Sequence, residues 1–288
     1  MNDSKSISYT VGADPYVYIP KVMVFNGGEV NIQLPSTSIL GNANEFIWID
    51  ARIKSSDDLM QLLLVTDALR TRYTDASITL NMPYTPYARQ DRVCNLGEAL
   101  SAKIFATLIN DQYYSAVHTM DNHSDVMTAL LDNCDNTPVH EVIAEQDLDM
   151  EGFVLISPDA GANKKVLEVA KQFNGLPVVR ADKVRDTKTG AITGTVVYTE
   201  LYSPTAHNAV EGKDCLIVDD ICDGGRTFIE LAKELKRKGA YTVSLWVTHG
   251  IFSKGLNVLF ESGIDHIYTT NSFYTGESGS QITVFEVL

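Results

Sequence analysis

Cys215-Leu-Ile-Val-Asp-Asp-Ile-Cys-Asp-Gly-Gly-Arg-Thr227 is the stretch on which the rest of the chain turns. An apolar run ends in two adjacent carboxylates, crosses a pair of glycines and enters a helix-forming segment over 226–238. Strand, turn and helix in that order make one unit of a parallel α/β sheet. Gly224 and Gly225 let backbone N–H groups come close to a phosphate, and a helix N-terminus adds the positive end of its dipole. Asp219 and Asp220 would repel that phosphate, but they suit the vicinal hydroxyls of a ribose. The combination reads as a cradle for a phosphorylated ribose, with Asp223, Gly224, Gly225, Arg226 and Thr227 around the phosphate. An acidic strand end before an unliganded glycine turn is the plainer alternative, and the joint pattern disfavours it.

Outward from this stretch, the 288 residues alternate strand and helix twice. Strands are expected at 22–25 and 30–34, around the turn Asn26-Gly27-Gly28, and at 46–49, 78–82 and 116–120. A helix over 56–72 is signalled by Ser55 or Ser56 as cap, by Asp57 and Asp58 in its first turn, and by Leu59, Leu62, Leu63, Ala68 and Leu69 at helical spacing. A second helix is expected over 100–109. The second half repeats the theme, with strands at 153–156, 177–179, 195–198, 215–218, 243–247, 266–269 and 282–287 and helices over 162–173 and 226–238. The expected fold class is α/β, with two doubly wound parallel-sheet domains over 1–148 and 149–288. In such sheets the chemistry collects at the carboxyl ends of the strands.

Composition excludes several classes. The net charge of −14 disfavours a nucleic-acid binder, which needs a basic face. No apolar run is long enough to span a bilayer, and the start lacks a basic region followed by an apolar core, so neither membrane association nor secretion is expected. Cys94, Cys134, Cys215 and Cys222 show neither zinc-ligand spacing nor a disulfide framework, which points to a reducing cytoplasm.

Four other expected strand ends carry polar clusters. Met82-Pro-Tyr-Thr-Pro-Tyr-Ala-Arg-Gln-Asp-Arg92 follows one, with guanidinium forks suited to phosphate and adenine. Thr119-Met-Asp-Asn-His123 and Ser157-Pro-Asp-Ala-Gly161 follow two more. Lys183-Val-Arg185 opens onto the turn-rich 186–190; read alone, that segment is a solvated charged hairpin.

Together these segments resemble the ribose-phosphate diphosphokinases (PRPP synthetases). The glycine stretch resembles the phosphoribosyl-binding motif that this family shares with type I phosphoribosyltransferases, and 82–92 resembles its P-Y-x-x-Y-A-R-Q-D-R signature. Residues 121–123, 157–161 and 183–185 resemble its D-x-H, S-P-D-x-G and K-x-R elements, and Phe25-Asn-Gly-Gly-Glu-Val30 resembles F-S-D-G-E-V. The resemblance implies a type I phosphoribosyltransferase-like fold with ATP-binding loops in the first domain and a phosphoribosyl site in the second. It implies transfer of the β,γ-diphosphate of ATP to an anomeric hydroxyl, with Mg²⁺ as cofactor and AMP as product. Phe25, Asn26, Glu29, Arg89, Gln90, Asp91 and Arg92 are then expected to bind ATP. His123 and Asp159 are expected to organise Mg²⁺, Lys183 and Arg185 to serve catalysis from a mobile flap, and His123 to serve catalysis from its own loop. The Phe25 loop implies a neighbouring subunit, hence a homodimer or higher homo-oligomer.

Departures from the family pattern bear on the acceptor and on regulation. The usual D-T-G-G-T becomes Asp223-Gly-Gly-Arg-Thr227, which removes a hydroxyl and adds Arg226. That cation either points to solvent, leaving ribose 5-phosphate as acceptor, or reaches a second phosphate, as in ADP-ribose. The second acceptor is that of phage-type relatives that feed NAD resynthesis. Val93-Cys-Asn-Leu-Gly-Glu-Ala99 replaces a basic regulatory stretch, Gly27 replaces an aspartate, and the family's terminal helix does not follow the last strand. Two rival classes are a phosphoribosyltransferase, which leaves 84–92 and 183–185 unexplained, and a non-catalytic regulatory subunit, which would be expected to lose K-x-R or D-x-H.

Overall fold

The computed structural model describes residues 6–36, 46–185, 192–198 and 209–288. They form two compact units, one of residues 1–137 with Leu288 and one of 138–287. The expected division at 148/149 differs by a short segment, because the helix α4 (Val139–Ala144) packs on α5 (Asn163–Gln172) of the second unit.

In the first unit a five-stranded sheet runs β1 (Ile7–Val11), β4 (Phe46–Ala51), β5 (Ser77–Asn81), β6 (Ala116–Met120) and β7 (Cys134–Thr137), in that spatial order. All neighbours are parallel except β1 and β4. Burial alternates along β1, β4, β5 and β6, as in a sheet with one well-covered face. The core of this unit combines Tyr9, Ile47, Ile49, Ile78 and Leu80 with Leu62, Val65 and Leu69 of α1 (Ser56–Arg72) and with Phe105 and Ile109 of α2 (Ser101–Asn110). Helix α1 starts where expected. The Ser55 side chain accepts the Asp58 N–H at 3.1 Å and Asp58 accepts the Ser55 N–H at 2.9 Å, a closed capping box. A separate two-stranded sheet, β2 (Lys21–Val24) and β3 (Val30–Gln33), carries Phe25 at its tip.

The second unit holds a seven-stranded sheet. Its order is β10 (Ile192–Tyr198), β9 (Val178–Arg185), β8 (Phe153–Ser157), β11 (Asp214–Cys222), β12 (Thr242–Gly250), β13 (His266–Thr270) and β14 (Ile282–Phe285). Only the β9–β10 pair is antiparallel. β8 and β12 are buried at nearly every position, so helices must cover both faces. Helix α6 (Arg226–Arg237) presents Phe228, Leu231, Ala232 and Leu235 to this core. The strand order reverses direction between β8 and β11, the place where an open α/β sheet parts its loops.

Two expectations are refined. Both sheets are parallel in their interior and take one antiparallel strand at an edge, which a doubly wound sheet tolerates. Lys183 and Arg185 lie within β9, paired in register with Thr195 and Ile192. The remainder of the expected flap, 186–190, lies outside the described residues.

Candidate active site

In the second unit, β11 runs on past its apolar core and delivers Asp219 and Asp220 to the carboxyl edge of the sheet. The Asp220 N–H donates to Asp219 Oδ1 and the Ile221 N–H to Asp220 Oδ1, both at 3.0 Å. Asp220 is only 5 % exposed, and Lys165 Nζ from the first turns of α5 stands 3.9 Å from its Oδ2. Burial, and then the neighbouring Asp220 carboxylate, push the Asp219 carboxyl well above the usual range; Asp159 contributes in the same direction. Asp159 lies just past the end of β8, where its Oδ1 accepts the Ala162 N–H at 3.1 Å. Three carboxylates from two adjacent strand ends thus share one region, with a lysine beside them.

The loop beyond them is shaped by Gly225. It caps α6 at φ +74°, and a Cβ there would stand 2.7 Å from Leu259 Cδ2, so a larger residue meets both backbone strain and collision. Having no side chain, Gly225 leaves the first amides of α6 uncapped from that position. Arg226 is exposed on the first turn. Asp223 and Thr227 are half-buried on either side of the glycines. The structure therefore brings Asp219, Asp220, Asp223, Gly224, Gly225, Arg226 and Thr227 into one strand–loop–helix corner, with Asp159 alongside.

In the first unit the loops after β5 and β6 are joined to each other. The Met82 N–H donates to His118 O at 2.9 Å and the Met120 N–H to Pro83 O at 3.0 Å. Thr85 donates its hydroxyl to Asn122 Oδ1, and Asn122 Nδ2 donates to Thr119 Oγ1 and Thr128 Oγ1, each at 3.0 Å. Asp121, 2 % exposed, sits at φ +40° and donates its N–H to Thr137 O at 2.8 Å. The Ser124 hydroxyl donates to Asp91 Oδ2 at 2.8 Å, while Arg92 Nε donates to Asp91 Oδ1 at 2.9 Å. The Arg92 hydrogen bond is the main reason that the Asp91 carboxyl is held below its ordinary value; Ser124 and the charge of His123 assist. Arg89, Gln90 and His123 are exposed around this joined pair of loops. The Tyr87 ring lies tilted against Phe105 with centroids 5.8 Å apart.

Phe25, 57 % exposed, forms a tight turn with Glu29 and Gly28. Asn26 is exposed in the same turn. Among the described residues no group of three or more His, Cys, Asp or Glu side chains is placed to hold a metal ion. His123 and Asp159, the expected pair, belong to different units.

Sequence reasoning overlooked Lys165, Asn163 and Lys254. Lys165 is visible only once α5 is packed beside β11. Asn163, also on the first turn of α5, has its side-chain oxygen buried without a hydrogen-bond partner. Lys254 comes from a loop after β12 and lies along Gly224.

Comparison with known proteins identifies the family. Residues 10–112 match the family described as the N-terminal domain of ribose phosphate pyrophosphokinase, and residues 118–262 match the phosphoribosyl transferase domain. The ribose-phosphate pyrophosphokinase of Thermosipho africanus is 32 % identical over 254 residues, 86 % of this chain and 76 % of that protein. The Haemophilus influenzae protein of the same name is 30 % identical over 272 residues, 92 % of this chain and 82 % of that protein. Among solved structures, the phosphoribosylpyrophosphate synthetase of Mycobacterium smegmatis superposes with a TM-score of 0.77. It is 25 % identical, and the match covers 94 % of this chain and 87 % of that one. With two adjoining domains matched in order and relatives aligned across most of their length, the chain belongs to the ribose-phosphate pyrophosphokinase family.

Proposed function

We propose that the chain transfers the β,γ-diphosphate of ATP to the anomeric hydroxyl of ribose 5-phosphate, releasing AMP. The observation that carries this is the corner at β11 and α6, with paired carboxylates for a sugar and, one turn further, glycine-exposed amides for its phosphate. In this reading Asp219 and Asp220 hold the ribose hydroxyls, and Asp223, the Gly224–Thr227 backbone and the Thr227 hydroxyl hold the 5-phosphate. Arg89, Gln90 and Arg92 bind the ATP phosphates and base. Asp91, fixed between Ser124 and Arg92, positions that loop. Phe25, Asn26 and Glu29 serve the adenosine site of a neighbouring subunit, in a homodimer or larger homo-oligomer. Lys183 and Arg185 offset charge that builds on the transferring group, so that catalysis is chiefly orientation and electrostatics.

Asp159 offers the oxygen donor that Mg²⁺ favours, and His123 is a poorer ligand; a cation carried on the ATP phosphates with its own water shell needs few protein ligands. When bound, Mg²⁺ neutralises phosphate charge. No helix among the described residues is long and apolar enough to cross a membrane. We place the enzyme in the cytoplasm, where its substrates are available.

The exposed Arg226 favours one second reading, an acceptor with a longer 5′ end such as ADP-ribose, whose product would serve NAD resynthesis. AMP release from Mg-ATP, measured with ribose 5-phosphate and ADP-ribose offered separately, tests both. Faster turnover of ribose 5-phosphate, unchanged in Arg226→Gly, removes the second reading. Absence of AMP release with either acceptor removes the first as well.

A further inference from the structure

We infer that Lys254 contacts the phosphate on C5 of the acceptor and sets the affinity for it. The inference deepens the acceptor site proposed above and rests on it. The segment that carries Lys254 is tied to the glycine loop by its backbone. The Ile251 and Phe252 N–H groups donate to Cys222 O at 2.9 and 3.0 Å, and the Ser253 N–H donates to Asp223 O at 3.2 Å. Phe252 is buried at φ +47°, its ring edge-on to Tyr274 at 5.4 Å, and the Gly255 N–H closes the turn on Phe252 O at 2.8 Å. The Lys254 backbone is therefore held at a fixed distance from the loop.

Its side chain lies over Gly224. A Cβ built on that glycine would stand 3.7 Å from Lys254 Cε, 3.9 Å from Cδ and 4.0 Å from Cγ. The stem thus runs alongside Gly224, and its ammonium lies one bond beyond Cε, within reach of the loop that the phosphate would occupy. Other lysines of this unit are engaged: Lys165 with Asp220, Lys233 with Glu230 and Lys236 with Asp265. Lys254 is exposed and makes no ion pair or hydrogen bond among the described residues.

Electrostatics give this ammonium a task. Asp219, Asp220 and Asp223 crowd the approach, and a phosphate dianion must enter beside them, so backbone amides alone face a repulsive field. A compact ammonium with three rotatable donors suits a phosphate whose orientation the amides already fix.

The test uses the full chain with Lys254→Met and Lys254→Arg. A lost charge-assisted contact corresponds to roughly a 10–100-fold rise in KM for ribose 5-phosphate in Lys254→Met. The expected accompaniments are a kcat within a few-fold of the unsubstituted chain, an unchanged KM for ATP, and recovery of most of the affinity in Lys254→Arg. With unphosphorylated ribose as acceptor, the two chains should be equally slow. An unchanged KM, or an equal loss with both acceptors, overturns the inference. Calorimetric binding of ribose 5-phosphate separates its failure from that of the parent reading. Weaker binding in Lys254→Met supports the contact even if no AMP is released, and equal binding in both chains overturns it regardless of turnover.

Discussion

The two candidate half-sites are built by opposite means. The β11–α6 corner is made largely of backbone: a strand end, a left-handed glycine and open helix amides, with carboxylates held close together against their mutual repulsion. The β5–β6 corner is made of side chains, with Thr85, Asn122, Thr119, Thr128 and Asn136 hydrogen-bonded beneath an exposed rim. In the first corner burial and a neighbouring carboxylate disfavour the Asp219 charge; in the second, the loop hydroxyls and amides hydrogen-bond to one another. Backbone strain falls instead on the second corner, where Tyr87 at φ +63° and Asp121 at φ +40° are held left-handed without being glycine.

Asp219→Asn breaks the comparison most severely. Under the proposed roles it removes a ribose contact, and turnover should fall by about 10²–10³-fold. The same change should raise the melting temperature at neutral pH. The folded chain binds the Asp219 proton more tightly than the unfolded chain does, so stability declines as pH climbs from the ordinary carboxylate value through the raised folded value. An amide in that place escapes the decline. A variant that is both inactive and less stable would show that the carboxylate pair is not under tension.

Gly225→Val comes next. With φ at +74° and Leu259 Cδ2 at 2.7 Å from a Cβ, strain and collision together should cost about 2–4 kcal/mol. Thermal unfolding measures that cost, and loss of ribose 5-phosphate binding should accompany it. In the side-chain corner, Asn122→Leu should cost roughly 1–3 kcal/mol by leaving the Thr85, Thr119 and Thr128 hydroxyls short of a partner. Its effect on KM for ATP should exceed its effect on KM for ribose 5-phosphate, since the network supports only the first unit's loops.

The smallest effect is on acid stability. The Asp91 carboxyl is held low, chiefly by Arg92, so its contribution is present above the ordinary carboxylate value and fades as pH falls toward the depressed one. Melting curves from about pH 6 to about pH 3 should therefore drop less in Asp91→Asn than in the unsubstituted chain. Equal slopes would place Asp91 outside the ion pair in solution.

The same contrast explains what could be read from sequence. Strands such as 153–156 and 215–218 announce themselves because burial on both faces demands unbroken apolar runs, and Ser55 or Ser56 ahead of Asp57 and Asp58 marks the start of α1, where the structure chooses Ser55 as the cap. The glycine corner was legible because its chemistry is local in sequence. Asn122 gave no such signal, since its partners lie up to 37 residues away. Strand β7 went unread because Cys134-Asp-Asn-Thr137 is polar and joins the sheet only as an edge. Strand β1 was passed over although Ile7, Tyr9 and Val11 alternate inward, and α3 (Asp125–Leu130) and α7 (Asn257–Phe260) are too short to show a helical period. Lys165 and Lys254 required tertiary packing to appear at all.

The most direct measurement follows ATP labelled at the β-phosphorus through one turnover with ribose 5-phosphate. The account predicts label in a diphosphorylated sugar and unlabelled AMP, abolished together when Asp219 and Asp220 are both replaced by asparagine. Label retained in ADP, or transfer that survives the double replacement, would contradict it.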